Sequence, residues 1–455
     1  MMLLLVYIIL WIPNSNGAVT HTYDLSTYMP SKFVSMFSVS WYGIGPTDPQ
    51  GPGPDSYTNH WSVGAQGTCI PNANPSNCST EYSTQPQRQI SSRYRPLAGI
   101  YSSSGKNLES QRRIDLMLST LRNQSSSSPS CDYGHARLDA WSIQLESIQL
   151  SSKYLSNPSL NVEIPYQAYI HFLQRSKTNS IIPGYDSTWL YSFSSNLGLG
   201  KCDNSNQTNS RDRCLNTTIK DFVDIVKMTN MSTSYLINQK PVIFIYTSLG
   251  GNLLNASEWS SIWTSVRNQV NLDFYAIATT SSLINQFDAI APWVDYVAWT
   301  MTSSNLPTYN RTLKWLSLVY GPLLQSVLPT GRVIIGGLSS GFDDYTESWG
   351  ACQNRTIPRE TQLLQAQFDY FRINQITRLF IYTWDDFTEG SIVEPDVRNG
   401  TWALLNIRQM IGTFYNETQN VTADQMLIDR WTNYPQLRNC TTIQVTSIPS
   451  IDLSC

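Results

Sequence analysis

Residues 378–395, RLFIYTWDDFTEGSIVEP, run from an unbroken apolar stretch directly into a cluster of acids. The first part, residues 379–384, is continuous in apolar and β-favouring side chains, which is typical of a strand buried in a parallel sheet. Parallel α/β folds carry their functional groups at the carboxyl ends of the strands. The sequence therefore predicts a buried strand whose end presents Asp385, Asp386 and Glu389 as a functional site.

The rest of the chain alternates between apolar strand-like runs and amphipathic helical runs, which indicates a parallel sheet. About eight such units predict a single (β/α)8 TIM barrel with long, disulfide-bearing loops. A doubly wound open sheet is the alternative, although no GxGxxG or phosphate-binding loop occurs. The predicted strands are 32–43, 95–101, 160–169, 240–246, 273–278, 294–299, 332–337 and 379–384. The predicted helices are 107–121, 218–236, 255–270 (with Asn255 as a cap), 281–290, 312–327, 359–376 and 402–414, and residues 136–155 are ambiguous.

The N-terminus has the pattern of a secretory signal. Residues 1–12 are an apolar run, and the small residues Ser15 and Gly17 occupy the −3 and −1 positions of a cleavage site. A signal anchor is the alternative, but the run is short for a membrane span. We expect residues 1–17 to be a signal peptide and residues 18–455 to be one catalytic domain. The mature chain is then expected outside the cell or in a lysosome-like lumen, without a membrane segment.

The cysteines and glycosylation motifs favour the same compartment. All 8 cysteines follow the predicted cleavage point, and an even count in a secreted chain favours disulfides. The short spacings predict the pairs Cys69–Cys78 and Cys202–Cys214. The chain also has 12 Asn-x-Ser/Thr sequons, which is typical of a glycoprotein.

The composition excludes several classes of partner. The net charge is −3 and only 14% of the residues are charged, so nucleic acid and anionic membranes are not expected partners. The 4 histidines are scattered and the cysteine spacings are not those of zinc sites, so we expect neither a metal nor a cofactor. The chain has 14 Trp and 25 Tyr, which suit either an aromatic core or the binding of sugar rings.

The acids of the final strand have the spacing that glycoside hydrolysis requires. That reaction needs two carboxyl groups, one as a general acid and one as a base or nucleophile. Asp386 and Glu389 lie three residues apart where the chain turns, and Gly390 permits a sharp turn. Crowding them with Asp385 should raise the pKa of at least one of the three carboxyls. A solvated acidic loop is the alternative interpretation.

Residues 382–395 resemble the terminal-strand motif of barrel hydrolases in glycoside hydrolase families 71 and 99. Family 71 contains α-1,3-glucanases and family 99 contains endo-α-mannosidases, and both carry an acid, two intervening residues and a glutamate. Residues 40–43 with 60–61 are similar to the first strand and loop of family 99. Residues 241–246 are similar to its middle strand, and residues 336–344 to its glycine-rich strand end.

The resemblance implies a role for each matching side chain. It implies that Asp386 is the base and Glu389 the acid. It also implies a polysaccharide or oligosaccharide substrate, with core packing as the alternative for the aromatic residues. The implied substrate-binding residues are Trp384, Asp385, Asp344, Tyr246, Tyr42, Trp61 and His60.

The motif departs from family 99 in a way that bears on the substrate. Family 99 has Glu at the position of Asp386, and Trp-His where this chain has Phe387 and Thr388. The pattern here is closer to family 71, so we expect a secreted endo-α-1,3-glucanase. An endo-α-mannosidase of the family 99 type and a catalytically inactive glycan-binding barrel are the alternatives.

Overall fold

In the described part of the chain, eight parallel strands form the barrel. The structure is a computed structural model. It describes residues 31–40, 42–44, 57–59, 94, 96–97, 103, 108–121, 138–145, 147–149, 163–175, 180–187, 208–229, 234–247, 254–280, 282–344, 355–396, 398–417 and 421–432. The strands are β1 (Phe33–Ser38), β2 (Ala140–Leu145), β3 (Ile181–Asp186), β4 (Lys240–Tyr246), β5 (Tyr275–Ala278), β6 (Ala289–Ile290), β7 (Val333–Ile334, continued after Ile335 by Gly336–Ser339) and β8 (Arg378–Tyr382).

The pairing of these strands closes the ring. The first part of β7 pairs with β6 and its second part pairs with β8, so β7 joins the two ends of the sheet. Strand β1 lies between β8 and β2, with Phe33 opposite Arg378 and Ser35 opposite Ala140. All of these pairings are parallel, so the carboxyl ends of the strands share one face of the barrel, which we call the mouth. The predicted TIM-barrel-like fold is therefore confirmed.

Helices follow the strands and form the outer layer. They are α1 (Leu108–Thr120), α2 (Glu163–Arg175), α3 (Thr208–Met228), α4 (Ala256–Val270), α5 (Tyr296–Thr300), α6 (Thr308–Ser326), α7 (Thr361–Ile373), α8 (Trp402–Tyr415) and α9 (Val421–Thr432). Asn255 caps α4 as predicted, because its side chain accepts from the Glu258 backbone N–H while Glu258 accepts from the Asn255 backbone N–H. Among the described residues, no helix is both long enough and apolar enough to span a bilayer.

An aromatic cluster fills the barrel interior. Phe244 of β4 stacks on Phe380 of β8, with ring centroids 4.4 Å apart, and contacts Phe37 of β1 at 5.3 Å. Trp293, which follows β6, lies 4.4 Å from the Tyr382 ring. This aromatic packing fills the interior between the strands, and polar groups follow the strands at the mouth.

Four short antiparallel strand pairings lie outside the ring of eight strands. Leu236–Ile237 adds to the edge of β4. Tyr42–Ile44 pairs with Tyr57–Asn59, and Phe342–Asp343 pairs with Thr356–Ile357. Asp385–Asp386 pairs with Ser391–Ile392, directly after β8, and this last hairpin carries the acids.

Two of the predicted strands are wrong. Residues 163–175 are helix α2, in which Pro165 is the third residue; proline is tolerated there because the first-turn N–H groups have no partner within a helix. Residues 296–300 are helix α5, which begins because the Asp295 carboxylate accepts a hydrogen bond from the backbone N–H of Ala298. The barrel strand is instead β6, which begins five residues before the predicted strand and occupies the end of the predicted helix 281–290, so that helix is also wrong. The ambiguous residues 136–155 contain β2, and β3 was not predicted.

Some predictions fall outside the described residues. These are the signal peptide at residues 1–17 and the cysteines Cys69, Cys78 and Cys202. Cys214 is described and is disulfide-bonded. Its pairing with Cys202 stays a prediction.

Candidate active site

The acidic hairpin, residues 385–392, places the predicted acids at the mouth of the barrel. Its two legs are Asp385–Asp386 and Ser391–Ile392, and a four-residue loop joins them. Thr383 orients the first leg because its hydroxyl accepts from the Asp386 N–H at 2.8 Å and donates to the Ser391 carbonyl at 2.7 Å. Asp386 and Glu389 therefore lie on one tight loop directly after β8, as the sequence predicted.

The loop of the hairpin is held from several sides. The Glu389 carbonyl accepts from the Asp343 N–H at 2.6 Å, and the Gly390 carbonyl accepts from Arg359 Nη1 at 2.6 Å. Gly390 has a φ of +64°, and a Cβ added there would lie 2.8 Å from a ring carbon of Tyr94. Glycine is therefore required both for the left-handed turn and for the close approach of Tyr94.

The Asp386 carboxylate is buried and takes part in the turn. Asp386 is only 1% exposed. Its Oδ1 accepts from the Thr388 hydroxyl at 3.0 Å and from the Glu389 N–H at 3.1 Å. These two hydrogen bonds fix the orientation of the carboxylate. Glu389 is half-buried, so it is the more accessible of the two acids.

Tyr246, at the end of β4, lies opposite the acidic hairpin. Burial raises the pKa of the Tyr246 hydroxyl well above its usual value, and the charges of Glu389, Asp186 and Asp386 raise this pKa further. These carboxylates therefore lie within electrostatic range of the same hydroxyl. The Tyr246 ring is half-buried and contacts the Trp293 ring edge-on at 4.8 Å. The structure thus brings Tyr246 together with both predicted catalytic acids.

A belt of hydrogen bonds joins the ends of the first three strands. Gln144 of β2 accepts from the Ser40 N–H at 3.1 Å and donates to Asp186 Oδ2 at 3.1 Å. Asp186 ends β3 and lies opposite Tyr246 in the strand register. The belt fixes a third carboxylate at the mouth beside Tyr246.

Asp385 has a different environment from Asp386. It is fully buried, and its Oδ1 accepts from the Ser38 hydroxyl at 3.0 Å and from the Val39 N–H at 2.8 Å. Its Oδ2 forms an ion pair with Arg113 at 2.8 Å, and the same guanidinium pairs with Glu394 at 2.7 Å. Burial raises the pKa of Asp385 to about 6, against the lowering effect of Arg113. These contacts join Asp385 to other groups of the protein. They do not support the predicted role of Asp385 in substrate binding.

Trp384 is also part of the protein interior. Trp384 is 0% exposed, and its ring packs edge-on against Trp141 at 5.5 Å and at a tilt against Trp431 at 5.9 Å. A ring enclosed in this way presents no face to a sugar. The alternative interpretation, core packing, describes Trp384 in this structure.

Asp344 directly follows the short strand Phe342–Asp343 and forms an ion pair with Arg355. Its Oδ2 accepts from Arg355 Nε at 2.7 Å and from Arg355 Nη2, while its Oδ1 is buried and has no hydrogen-bond partner among the described residues. The Arg355 guanidinium lies 5.6 Å from the ring centroids of both Tyr296 and Phe342. Arg355 also lowers the pKa of Tyr246, so its positive charge reaches the mouth. Asp344 therefore acts on the mouth through Arg355.

The structure does not describe the side chains of the remaining predicted binding residues, Tyr42, His60 and Trp61. Tyr42 begins the short strand Tyr42–Ile44, of which only the backbone is described. His60 and Trp61 lie outside the described residues. Their predicted contacts with substrate stay predictions.

Sequence reasoning missed four residues that shape this site. Asp186 carries the same signal as the acidic strand, an apolar run ending in an acid, but Pro183 and Gly184 interrupt that run. Arg113 was detectable as a charged residue four positions before Met117, on the apolar face of a predicted helix. For Trp293 and Arg355 no local sequence pattern gives a signal, because their positions depend on contacts between distant segments.

Comparison with known proteins supports the fold. No family model and no curated protein matches the sequence. The structure of a GH99 endo-alpha-mannosidase from Bacteroides thetaiotaomicron superposes with a TM-score of 0.51 and 14% identity, covering 87% of this chain and 99% of that chain. A structure described as a glycoside hydrolase-like protein superposes with a TM-score of 0.49 and 12% identity, covering 87% of this chain and 97% of that chain.

The likeness is one of fold. At 14% identity, a shared architecture does not by itself carry over the chemistry of the matched enzyme. A family 99 structure is among the matched folds. The resemblance to family 71 stays a prediction.

Proposed function

We propose that this protein is a glycoside hydrolase that cleaves internal α-glycosidic bonds of a polysaccharide with Asp386 and Glu389. The observation that carries the proposal is the acidic hairpin. One loop holds both carboxyl-bearing residues at the mouth of a closed parallel barrel, within electrostatic range of Tyr246. Ligands of such barrels bind at this face. The fold likeness to an endo-alpha-mannosidase supports the same class of reaction.

The two acids have different roles in the proposal. The family resemblance implies that Asp386 is the base, and the two hydrogen bonds that its Oδ1 accepts fix the orientation of its carboxylate. Glu389 is the acid that protonates the leaving oxygen, because it is the more accessible of the two and can reach a bound glycan. Protonation of the leaving oxygen and activation of a nucleophile are the two carboxyl functions that hydrolysis of a glycosidic bond requires.

Other mouth residues would bind the sugar without taking part in proton transfer. The Tyr246 hydroxyl remains protonated at physiological pH because its pKa is raised, so it can donate a hydrogen bond to a sugar oxygen. Arg355, held by Asp344, adds a fixed donor on the same side. Trp293 supplies an aromatic edge next to Tyr246. Such a mixture of polar groups and aromatic rings is suited to a carbohydrate.

Two substrates are supported by different observations. The Asp386-Phe387-Thr388-Glu389 pattern resembles family 71 and favours an α-1,3-glucan, because Asp is one methylene shorter than the Glu of family 99. The fold likeness to an endo-alpha-mannosidase favours an α-mannan. We propose α-1,3-glucan and α-mannan as the two substrates to be compared directly.

The secretory route belongs to the same proposal. It rests on the signal-like residues 1–17, the cysteine count and the sequons. Expression in a eukaryotic host should release a glycosylated protein that begins at Ala18. N-terminal sequencing of the secreted protein measures this directly, and a retained N-terminus would show that the segment is an anchor.

The test of the activity is a substrate panel with matched variants. The secreted full-length protein is incubated with α-1,3-glucan and with α-mannan, and released oligosaccharides are quantified. Asp386→Asn and Glu389→Gln should each lower kcat by about 100- to 10,000-fold, the range expected for loss of acid–base catalysis. Asp429→Asn, at an exposed acid on α9, is the control and should leave turnover unchanged.

The outcomes separate the alternatives. Wild-type turnover by either acid variant would remove that acid from the mechanism. Glycan binding without product release, in the wild-type protein, would instead support an inactive glycan-binding barrel. For an active enzyme, NMR of the first-formed anomer distinguishes retention from inversion, since the two mechanisms differ in the face from which the sugar carbon is attacked.

A further inference from the structure

We infer that Arg113, Asp385 and Glu394 form a buried clamp that fixes the acidic hairpin, which makes Arg113 and Glu394 positioning residues for the reacting acids. The inference rests on the proposed function for its catalytic meaning. Its structural content, the immobilisation of the hairpin, can be measured independently. Neither Arg113 nor Asp385 was predicted to have this role from its sequence context.

The clamp joins both legs of the acidic hairpin at their base. Arg113 Nη2 lies 2.8 Å from Asp385 Oδ2 and 2.7 Å from Glu394 Oε2, and Arg113 Nε lies 3.5 Å from Glu394 Oε1. Asp385 is in the first leg, and Glu394 follows the second leg by two residues. One guanidinium therefore bridges the strand that leads to Asp386 and the strand that returns from Glu389.

The clamp also ties the hairpin to two different parts of the barrel. Arg113 comes from helix α1, whereas the Asp385 carboxylate accepts from Ser38 and Val39 at the end of β1. Asp385 is bonded directly to Asp386 along the chain. A shift of the catalytic loop would therefore break hydrogen bonds to both α1 and β1.

Burial of the three charged side chains restricts the position of the hairpin. Arg113 is 2% exposed, and both Asp385 and Glu394 are 0% exposed. Charge-assisted hydrogen bonds are strong and directional, and water is not present to replace them when buried charges separate. The hairpin therefore has one favoured position relative to the barrel.

The fork geometry explains why the bridging residue is an arginine. The guanidinium contacts Glu394 through two nitrogens and shares one of these nitrogens with Asp385. A lysine ammonium carries the same charge on a single nitrogen and cannot reproduce the planar fork. Arg113→Lys therefore tests geometry while charge is kept, and Glu394→Gln tests charge while shape is kept.

The experiment measures kinetics and hydrogen exchange on the same variants of the full-length protein. Arg113→Lys should lower kcat by about 100-fold with KM changed by less than about 3-fold, since small displacements of catalytic groups have effects of that size. Glu394→Gln should lower kcat by about 10-fold for the same reason. In both variants, amide hydrogen exchange in peptides covering residues 385–392 should become faster, while exchange in β4 and β5 stays as in the wild type.

The matched control is another buried arginine in an ion pair. Arg408 of α8 is 0% exposed, contacts Asp424 at 2.9 Å and donates to the Thr120 carbonyl of α1 at 3.1 Å. Arg408→Lys should lower the melting temperature without changing kcat per folded molecule or exchange in residues 385–392. This control separates a general loss of stability from displacement of the hairpin.

The possible results decide between the two proposals. Unchanged kcat and unchanged exchange at residues 385–392 in a folded clamp variant would overturn the clamp. If Arg113→Lys does not fold, Glu394→Gln decides by the same two measurements. A wild-type protein that cleaves neither glycan would overturn the proposed function, while faster exchange in the clamp variants would still support the clamp.

Discussion

Two fully buried aspartates, Asp385 after β8 and Asp221 in α3, are stabilised in different ways. Asp385 lies in a charged environment, with Arg113 between it and Glu394. Asp221 of α3 has neutral donors: the Tyr185 hydroxyl at 2.9 Å, the Gln149 N–H at 2.9 Å and the Ser147 side chain. Burial raises the pKa of Asp385 to about 6 and that of Asp221 to about 7.

The difference shows what a guanidinium adds to a buried acid. Near pH 7, Asp385 is mostly ionised and holds its partners through charge, whereas Asp221 is divided between its two protonation states. The first arrangement fixes a geometry strongly and fails if the cation is lost. The second tolerates protonation and contributes a smaller, pH-dependent support between β3 and α3.

The largest effect should come from removing the cation. Arg113→Met leaves Asp385 and Glu394 buried without their counter-charge, so the free energy of unfolding should fall by about 3–5 kcal/mol. Urea unfolding at pH 7 measures the loss. The control is Arg211→Met, at a half-buried pair with Glu258, where a loss of about 1 kcal/mol or less is expected. Equal losses at the two sites would contradict the special role of the clamp.

A second test asks whether packing confines the acidic hairpin as firmly as charge does. Gly390 and Gly400 have similar φ values, +64° and +59°, but a Cβ meets Tyr94 and Asp343 at Gly390 and nothing within 4 Å at Gly400. Gly400→Ala should cost about 1–2 kcal/mol for the left-handed backbone alone. Gly390→Ala should cost about 1–3 kcal/mol more because of overpacking. Equal unfolding free energies for the two variants would mean that the hairpin loop is free to move.

A third test concerns the neutral donors around Asp221. Tyr185→Phe keeps the ring that packs 4.6 Å from Phe222 and removes only the hydroxyl that donates to Asp221. The loss of one hydrogen bond to a buried carboxyl should lower the unfolding free energy by about 1–3 kcal/mol. Urea unfolding at pH 7 measures it, and a loss as large as that of Arg113→Met would erase the contrast between the two sites.

The smallest effect at acidic pH should come from Asp221→Asn, and its signature is pH dependence. The folded-state pKa of Asp221 is raised to about 7 from 3.8, so the folded state binds more protons than the unfolded state between these values. This residue therefore makes the protein less stable as pH rises from about 4 to 7. Asp221→Asn should remove that contribution, and its stability relative to the wild type should be greater at pH 8 than at pH 4.5.

Asp385→Asn is the comparison for this pH series. The pKa of Asp385 is raised to about 6, so its contribution should change between about pH 4 and 6 and be constant above that. Urea unfolding at pH 4.5, 6 and 8 separates the two windows. A contribution of Asp385 that still changes between pH 6 and pH 8 would contradict the window expected for this residue.

The sequence predicted the barrel and the position of the acids directly after its last strand because both have local signals. Residues 379–384 are apolar without interruption, and the acids follow at once. The same local reasoning failed at Pro165, because a proline in a first helical turn and a proline at a strand end have similar sequence surroundings. Residues 294–299 misled because an apolar run of this length suits a strand or a buried helix.

The different environments of Asp385, Asp386 and Glu389 could not be predicted from the sequence. Asp385 and Asp386 are identical neighbours in the chain, yet one faces Arg113 and the other accepts from Thr388. The residues that decide this come from α1 and from the hairpin itself, and Arg113 is 272 positions from Asp385. Only the closed barrel brings these segments together.

The position of β1 in the ring has a consequence for how the chain is made. Strand β1 pairs with β2, about a hundred residues later, and with β8, which includes Arg378 opposite Phe33. A growing chain therefore keeps one edge of its first strand unpaired until the last strand has left the ribosome, and exposed strand edges are prone to aggregate. Asp386 and Glu389 emerge immediately after that strand, so a chain that ends before residue 378 would have neither a closed sheet nor the two proposed catalytic acids.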